Sequence, residues 1–197
     1  MEHALIEREE LFMTIEGGKS YTTADIEALP DGEYAELIDG EMFVMECPSV
    51  THQEILGELH VQIYMYIKQK KGPCKVFLSP LGVYIANDNR NFVVPDITVI
   101  CNQDKLDEKG CHGAPDWVIE ITSPSNKYMD YGRKLTLYQA KGVREYWIID
   151  PQKQIVTIYD FEHGEGPMIH PFSEQIKVGI YTDLYIDLTP FMQPREM

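Results

Sequence analysis

Three polar residues stand out in a stretch otherwise built for burial: Asp96, Glu120 and Lys134. Asp96 lies in the middle of FVVPDITVI (residues 92–100) and Glu120 in DWVIEIT (residues 116–122). Both runs are apolar and rich in β-branched side chains, and they read as strands. An ionised carboxylate in such surroundings costs on the order of several kcal/mol unless a proton, a cation or strong donors offset it. Side chains alternate along a strand, so Asp96, Thr98 and Ile100 share one face, as do Val118, Glu120 and Thr122. If the two strands are neighbours, the two acids converge. The next segment, SNKYMDYGRKLTLYQAKG, predicts a helix capped by Ser125 or Asn126 and stopped by Gly142. On it Asp130, Lys134 and Tyr138 recur at four-residue intervals, so one helix face can present a cation to the acids. Asp130 is placed to orient the Lys134 ammonium, and Tyr138 reads as core.

Those residues need elements to position them. Residues 1–20 carry little pattern and read as an arm, leaving 21–197 as a single domain. YTTADIEALP holds Thr22 and Asp25 at capping-box spacing before a short helix ended by Pro30. In EYAELIDGEMFVME an Asp39-Gly40 pair between apolar segments predicts a β-hairpin, and among its acids Glu36 is the one with an apolar setting. Thr51 and Glu54 predict the start of a long amphipathic helix buried through Ile55, Leu56, Leu59, Ile63 and Ile67, with Lys68, Lys70 and Lys71 at its negative dipole end. His52, near that start, is expected to be a hydrogen-bonded structural residue rather than a ligand. CKVFLSP and LGVYIAND read as one strand or two short ones, and Pro95 predicts an edge, a bulge or a bend beside Asp96. CNQDKLDEKGCHGAP reads as a surface loop or short helical turn. REYWIID and QIVTIYD are expected to pair across a short turn.

Composition bounds the rest. No apolar run approaches membrane-spanning length, and the charged start MEHALIEREELFMTIEGG lacks a signal core, which points to a cytoplasmic protein with no membrane partner. The four cysteines, Cys47, Cys74, Cys101 and Cys111, show no C-x-x-C spacing and are expected to be reduced thiols. Cys101 and the Cys111-His112 pair fall short of the four convergent ligands of a structural zinc site. The formal net charge of −15 opposes non-specific binding of polyanions, so a nucleic-acid enzyme of this composition needs a local basic patch, divalent cations or a partner subunit.

Pro95-Asp96, the acid in WVIEITSPSN and the helix DYGRKLTLYQAKG leading into GVREYWIIDP resemble the Uma-type restriction endonucleases of the PD-(D/E)XK nuclease superfamily. The likeness runs from about Tyr21 to Leu188 and includes, in order, the hairpin YAELIDGEM and the helix start THQEIL. It implies an α/β (α+β) fold, a restriction endonuclease-like mixed β-sheet flanked by helices with an N-terminal β-hairpin, and metal-dependent cleavage of phosphodiester bonds, DNA foremost. It further implies Asp96 and Glu120 as ligands of Mg²⁺ or Mn²⁺, Glu36 as the early acid completing or orienting the site, and a homodimer. The superfamily lysine two residues after the second acid is absent, that position being Thr122. Related proteins carry it on the following helix, where Lys134 matches.

The chemistry suits these residue types. One or two Mg²⁺ ions neutralise charge developing on phosphoryl oxygens and generate a hydroxide-like nucleophile, and two or three carboxylates suffice to hold them. On this reading Lys134→Met abolishes or severely reduces cleavage while leaving metal binding and the fold largely intact. The competing picture is an exposed Lys134 paired with Asp130 on a helix surface. At the level of function the alternative is a catalytically inactive or regulatory nuclease-fold protein that binds a protein partner. A two-carboxylate glycosidase fits less well, since no aromatic sugar groove is apparent.

Overall fold

In the computed structural model of the chain, residues 20–86, 88–123 and 127–192 are described. The arm predicted over residues 1–20 therefore lies almost wholly outside the described residues, as do the expected helix caps Ser125 and Asn126. Among the described residues no helix is long and apolar enough to cross a membrane.

The fold is a mixed α+β arrangement built on a six-stranded sheet. Its strands in chain order are β3 (Lys75–Leu78), β5 (Ile97–Ile100), β8 (Trp117–Ile121), β9 (Glu145–Asp150), β10 (Ile155–Asp160) and β11 (Glu165–Pro171). Across the sheet they run β11, β10, β9, β8, β5, β3. All neighbours are antiparallel except β8 and β9. A parallel pair needs a crossover, and the helical segment between Glu120 and Glu145 supplies it. That segment is π-helical over Met129–Lys134 and continues as α3 (Leu135–Lys141), ending at Gly142 with φ 89°. The predicted stop is borne out, because glycine accepts that left-handed conformation without penalty.

The two faces of the sheet bury different partners. On one, Val99, Trp117, Ile119, Ile121, Trp147 and Ile149 pack against Ile55, Leu56, Leu59, Ile63 and Ile67 of α2 (Val50–Lys70). The five helix residues are those the 3.6-residue period selects, and removing one, as in Leu59→Ala, should cost about 2–5 kcal/mol. The cap of α2 is Ser49, whose Oγ accepts from the His52 amide at 3.2 Å, and not the expected Thr51. On the other face Val118, Tyr146 and Ile148 pack against Met129, Leu137 and Tyr138.

The expected hairpin is present as β1 (Ala35–Ile38) and β2 (Glu41–Val44), joined by Asp39 and Gly40 with φ of 53° and 83°. It docks through Leu37, which exchanges backbone hydrogen bonds of 2.6 and 2.8 Å with Phe92. A short helix, α1 (Thr23–Glu27), precedes it with the predicted Thr22–Asp25 capping box.

Of the two readings left open for CKVFLSP and LGVYIAND, the structure has two short strands, β3 and β4 (Val83–Tyr84), in separate sheets. Two expectations are corrected. Residues 101–115 are not simply a loop: after a short helical turn they form β6 (Leu106–Asp107) and β7 (Gly110–His112), which pair antiparallel beside β4. Cys74 and Cys101 are not free thiols but a disulfide, leaving Cys47 and Cys111 unpaired. The register Lys75↔Ile100 on adjacent strands sets the two cysteines opposite each other, a proximity that spacing along the chain does not reveal.

Candidate active site

The register Ile97↔Ile119 and Thr98↔Val118 carries through to place Asp96 opposite Glu120. The Asp96 amide approaches Glu120 Oε2 at 3.4 Å. The predicted convergence thus holds, although Asp96 precedes the strand instead of sitting within it. Pro95 has no N–H to donate to a ladder, and the chain bends there before β5 begins at Ile97. The bend leaves Asp96 Oδ2 to accept from the Ile121 amide at 2.7 Å and to meet His52 Nε2 at 3.0 Å. Its Oδ1 accepts no hydrogen bond from the described residues.

Lys134 lies on the opposite side of the sheet from α2 and is buried, at 7% exposure. The exposed-surface picture of this lysine is therefore wrong. Its Nζ is 2.8 Å from Glu36 Oε2, 3.0 Å from Glu120 Oε1 and 3.9 Å from Asp130 Oδ1. Glu36 is fixed from its other side by the Val94 amide, which donates to Oε1 at 2.9 Å. Glu120 Oε1 also accepts from Tyr138 Oη at 2.8 Å, so Tyr138 is more than core filling. Thr122, the position of the usual lysine, is buried, and its Oγ1 has no partner among the described residues.

The π-helical turn carries Asp130 and Lys134 on its buried side. Such turns are uncommon and recur at functional sites. This one is anchored by Tyr146 Oη, which donates to the Asp130 carbonyl at 3.1 Å. No side-chain period distinguishes a π-turn from an α-helix over six residues, so the sequence carried no signal for it.

The electrostatics follow from crowding. Glu36, Glu120 and Asp130 surround a single ammonium, and Asp96, paired with His52, adjoins Glu120. Burial pushes Glu120 well above the ordinary carboxylate range; Lys134 opposes that, and the other three acids reinforce it. Burial likewise lifts Asp130 to about 7, with Lys134 pulling the other way. For Lys134 burial alone would favour the neutral amine, but Glu120, Glu36 and Asp130 override it and hold the ammonium well above its usual range. One ammonium cannot balance its three carboxylates with Asp96 close by, and burial and mutual repulsion push Glu120 and Asp130 toward their protonated forms.

The oxygens left over are the ones a metal would use. Among the described residues no three His, Cys, Asp or Glu side chains already enclose a common point as a ready-made cage. Mg²⁺ does not require one, because it keeps several waters and binds through one or two carboxylates. Among the described residues Asp96 Oδ1 has no protein donor and Glu120 Oε2 has only the long contact from the Asp96 amide, so the donor set fits a hard divalent ion. His52 is hydrogen-bonded, as expected, and what the sequence did not show is that its partner is the candidate ligand Asp96. The only signal available was its place in the first turn of a helix whose N-terminus the fold brings to Asp96.

Residues 23–179 match the family described as "Uma2: Putative restriction endonuclease". The chain belongs to the Uma2 family. That match spans the hairpin, both acid-bearing strands and the Lys134 helix, as the motifs implied. The Uma2 protein is also 28% identical over 130 residues to an uncharacterised protein of Synechocystis sp., across 64% of this chain and 66% of that one, just under two thirds of the relative's length. Among solved structures it resembles a "putative nuclease belonging to DUF820" from Anabaena variabilis, with a TM-score of 0.70 and 23% identity over 86% of this chain and 96% of the other. At that identity the likeness establishes the fold, which is restriction endonuclease-like.

Proposed function

We propose that this Uma2 protein is an endonuclease that uses Mg²⁺ or Mn²⁺ to hydrolyse phosphodiester bonds of nucleic acid, DNA in the first place, and that it works as a homodimer. The observation that carries the reading is the charge imbalance: Glu36, Glu120 and Asp130 share one buried lysine, Asp96 adjoins Glu120, and Asp96 and Glu120 each keep an oxygen with no strong donor among the described residues. A divalent cation offsets that excess, and family membership supplies the reaction class.

Asp96 and Glu120 would hold the ion, which when bound supplies Lewis-acid stabilisation and a water acidified toward neutral pH. The chain's own groups do the positioning. The Ile121 amide and His52 fix Asp96 through Oδ2, while Lys134 and Tyr138 fix Glu120 through Oε1. Lys134 keeps its proton and places a positive charge where negative charge grows on phosphoryl oxygens. Glu36 and Asp130 hold that ammonium in place. The dimer rests on analogy: cutting both strands of a duplex is most simply done by two sites across a twofold axis.

The test couples binding to cleavage. Calorimetric titration with Mn²⁺ should show binding to the wild type that is at least about tenfold weaker in Asp96→Ala, as expected on losing a ligand or its support. Equal affinities would overturn the assignment. Single- and double-stranded DNA and RNA should be assayed at low salt, because a chain of net charge −15 holds polyanions weakly and loses them steeply as salt rises. Metal binding with no cleavage of any of these substrates would overturn the endonuclease reading in favour of a catalytically inactive or regulatory nuclease-fold protein.

A further inference from the structure

Helix α2 buries one face against the sheet, but its opposite face is not polar. Val50, Val61 and Met65 are 65%, 54% and 56% exposed, and Tyr64 is 46% exposed. At about 100° per residue, Val50, Glu54, Gly57, Val61, Met65 and Lys68 fall within roughly 40° of one line along the helix. A 21-residue helix thus carries a narrow apolar stripe that stays exposed among the described residues.

The order of residues along that stripe is close to palindromic about Val61. Glu54 lies seven residues before it and Lys68 seven after, each about 10 Å away along the axis. Gly57 and Met65 stand four residues to either side. A Cβ added at Gly57 would meet nothing within 4 Å, so the helix has an open hollow there. Tyr64 and Met65 are large side chains of the kind such a hollow receives. The Lys68 ammonium sits 5.5 Å from the Tyr64 ring centroid, on the stripe's side of the helix, and among the described residues it pairs with no carboxylate.

We infer that this face of α2 is the interface between two copies of the chain, packed antiparallel about a twofold axis through Val61. This names the surface for the homodimer proposed above and rests on that assembly, but not on cleavage. In an isologous contact residue i of one copy meets j of the other and j meets i. Here Glu54 of each copy meets Lys68 of the second, the hollow at Gly57 receives Tyr64 or Met65, and Val61 meets itself. A polyanion is a poorer occupant, because Glu54 and Glu58 flank the apolar residues. An unrelated partner would not call for the symmetry. His52 begins the same helix, so the two sites would stand about 27 Å apart along the helix direction, at opposite ends of the contact.

Sedimentation velocity of the full chain over about 1–50 μM tests this. Wild type should be dimeric, and Val61→Glu should raise the dimer dissociation constant at least tenfold with its far-UV circular dichroism unchanged, the site being exposed, and its melting temperature lowered only by the lost dimer linkage. Glu54→Lys and Lys68→Glu should each weaken the dimer, and the double charge swap should restore it. In a Cys47→Ser background Val61→Cys should form a covalent dimer under mild oxidation, and Ile169→Cys, exposed on β11, should not. A wild-type dimer that Val61→Glu leaves intact overturns this interface while the twofold assembly stands. A wild type that stays monomeric throughout overturns both, and cleavage by that monomer would leave the catalytic reading in place.

Discussion

Replacing Lys134 with methionine should destabilise the metal-free protein strongly at pH 8 and much less at pH 5. Methionine keeps the stem's volume, so the packing change is small. What disappears is the charge that lies 2.8 Å from Glu36, 3.0 Å from Glu120 and 3.9 Å from Asp130 at a site 7% exposed. Removing one partner of a buried ion pair costs about 3–5 kcal/mol, because the other charge is left unpaired. For a chain of this size that corresponds to roughly 6–20 °C in melting temperature. Lys134 is held charged well above its usual range, so its own contribution is intact from acid pH up to that alkaline titration and does not vary between pH 5 and 8. The acids left behind do vary. With Lys134 present Asp130 has a pKa of about 7 and Glu120 is pushed in the same direction, and losing Lys134 lifts both further. At pH 5 they keep their protons at little cost, whereas at pH 8 they must either ionise unpaired or hold protons that the unfolded chain gives up, and either lowers stability. Scanning calorimetry in EDTA at the two pH values reads the difference, and Mn²⁺ at pH 8 should recover part of the loss. A melting temperature at pH 8 within about 2 °C of wild type would refute the account, as would an equal drop at both pH values. The expectation that this substitution spares the fold is thereby revised: loss of cleavage in Lys134→Met bears on chemistry only when assayed well below its lowered melting temperature.

Two further outcomes follow from buried acids. Asp130 has a folded pKa of about 7 against an ordinary 3.8, so the folded state binds the extra proton between those values and stability falls as pH rises through that window. The full linkage is on the order of 4 kcal/mol. Asp130→Asn should therefore gain on wild type at pH 8 relative to pH 5 in urea denaturation; a variant weaker at pH 8 than at pH 5, each against wild type, would show that the charged Asp130 stabilises through Lys134. Glu145, fully buried and outside the site, accepts from Trp147 Nε1 at 2.6 Å and from the Gly179 and Ile180 amides at 3.0 and 2.8 Å, tying the C-terminal segment to β9. Glu145→Ala strands three donors and should cost about 3 kcal/mol or more with Mn²⁺ affinity unchanged; wild-type stability in urea would show that water replaces the carboxylate.

Much of this was legible before any coordinates, and the reason is local. Turn chemistry at Asp39-Gly40, the apolar period of α2 and the stop at Gly142 depend on a few neighbouring residues and on backbone sterics that act at short range. The facing of Asp96 and Glu120 was legible as well, because strand alternation is strict and only the adjacency of the two strands had to be supplied. Family motifs then ordered the elements and named Glu36 and Lys134.

The rest depended on contacts between residues distant in sequence, which no local pattern encodes. Pairing of β3 with β5 brought Cys74 and Cys101 together, and docking of the α2 N-terminus on the β5 bend brought His52 to Asp96. Whether Lys134 is a surface lysine or the buried centre of three acids turned on a six-residue π-turn and on the hairpin packed over it. Burial decides that difference: the same ammonium and carboxylates that would be worth a few tenths of a kcal/mol in water control both stability and protonation once the sheet, the helix and the hairpin close around them.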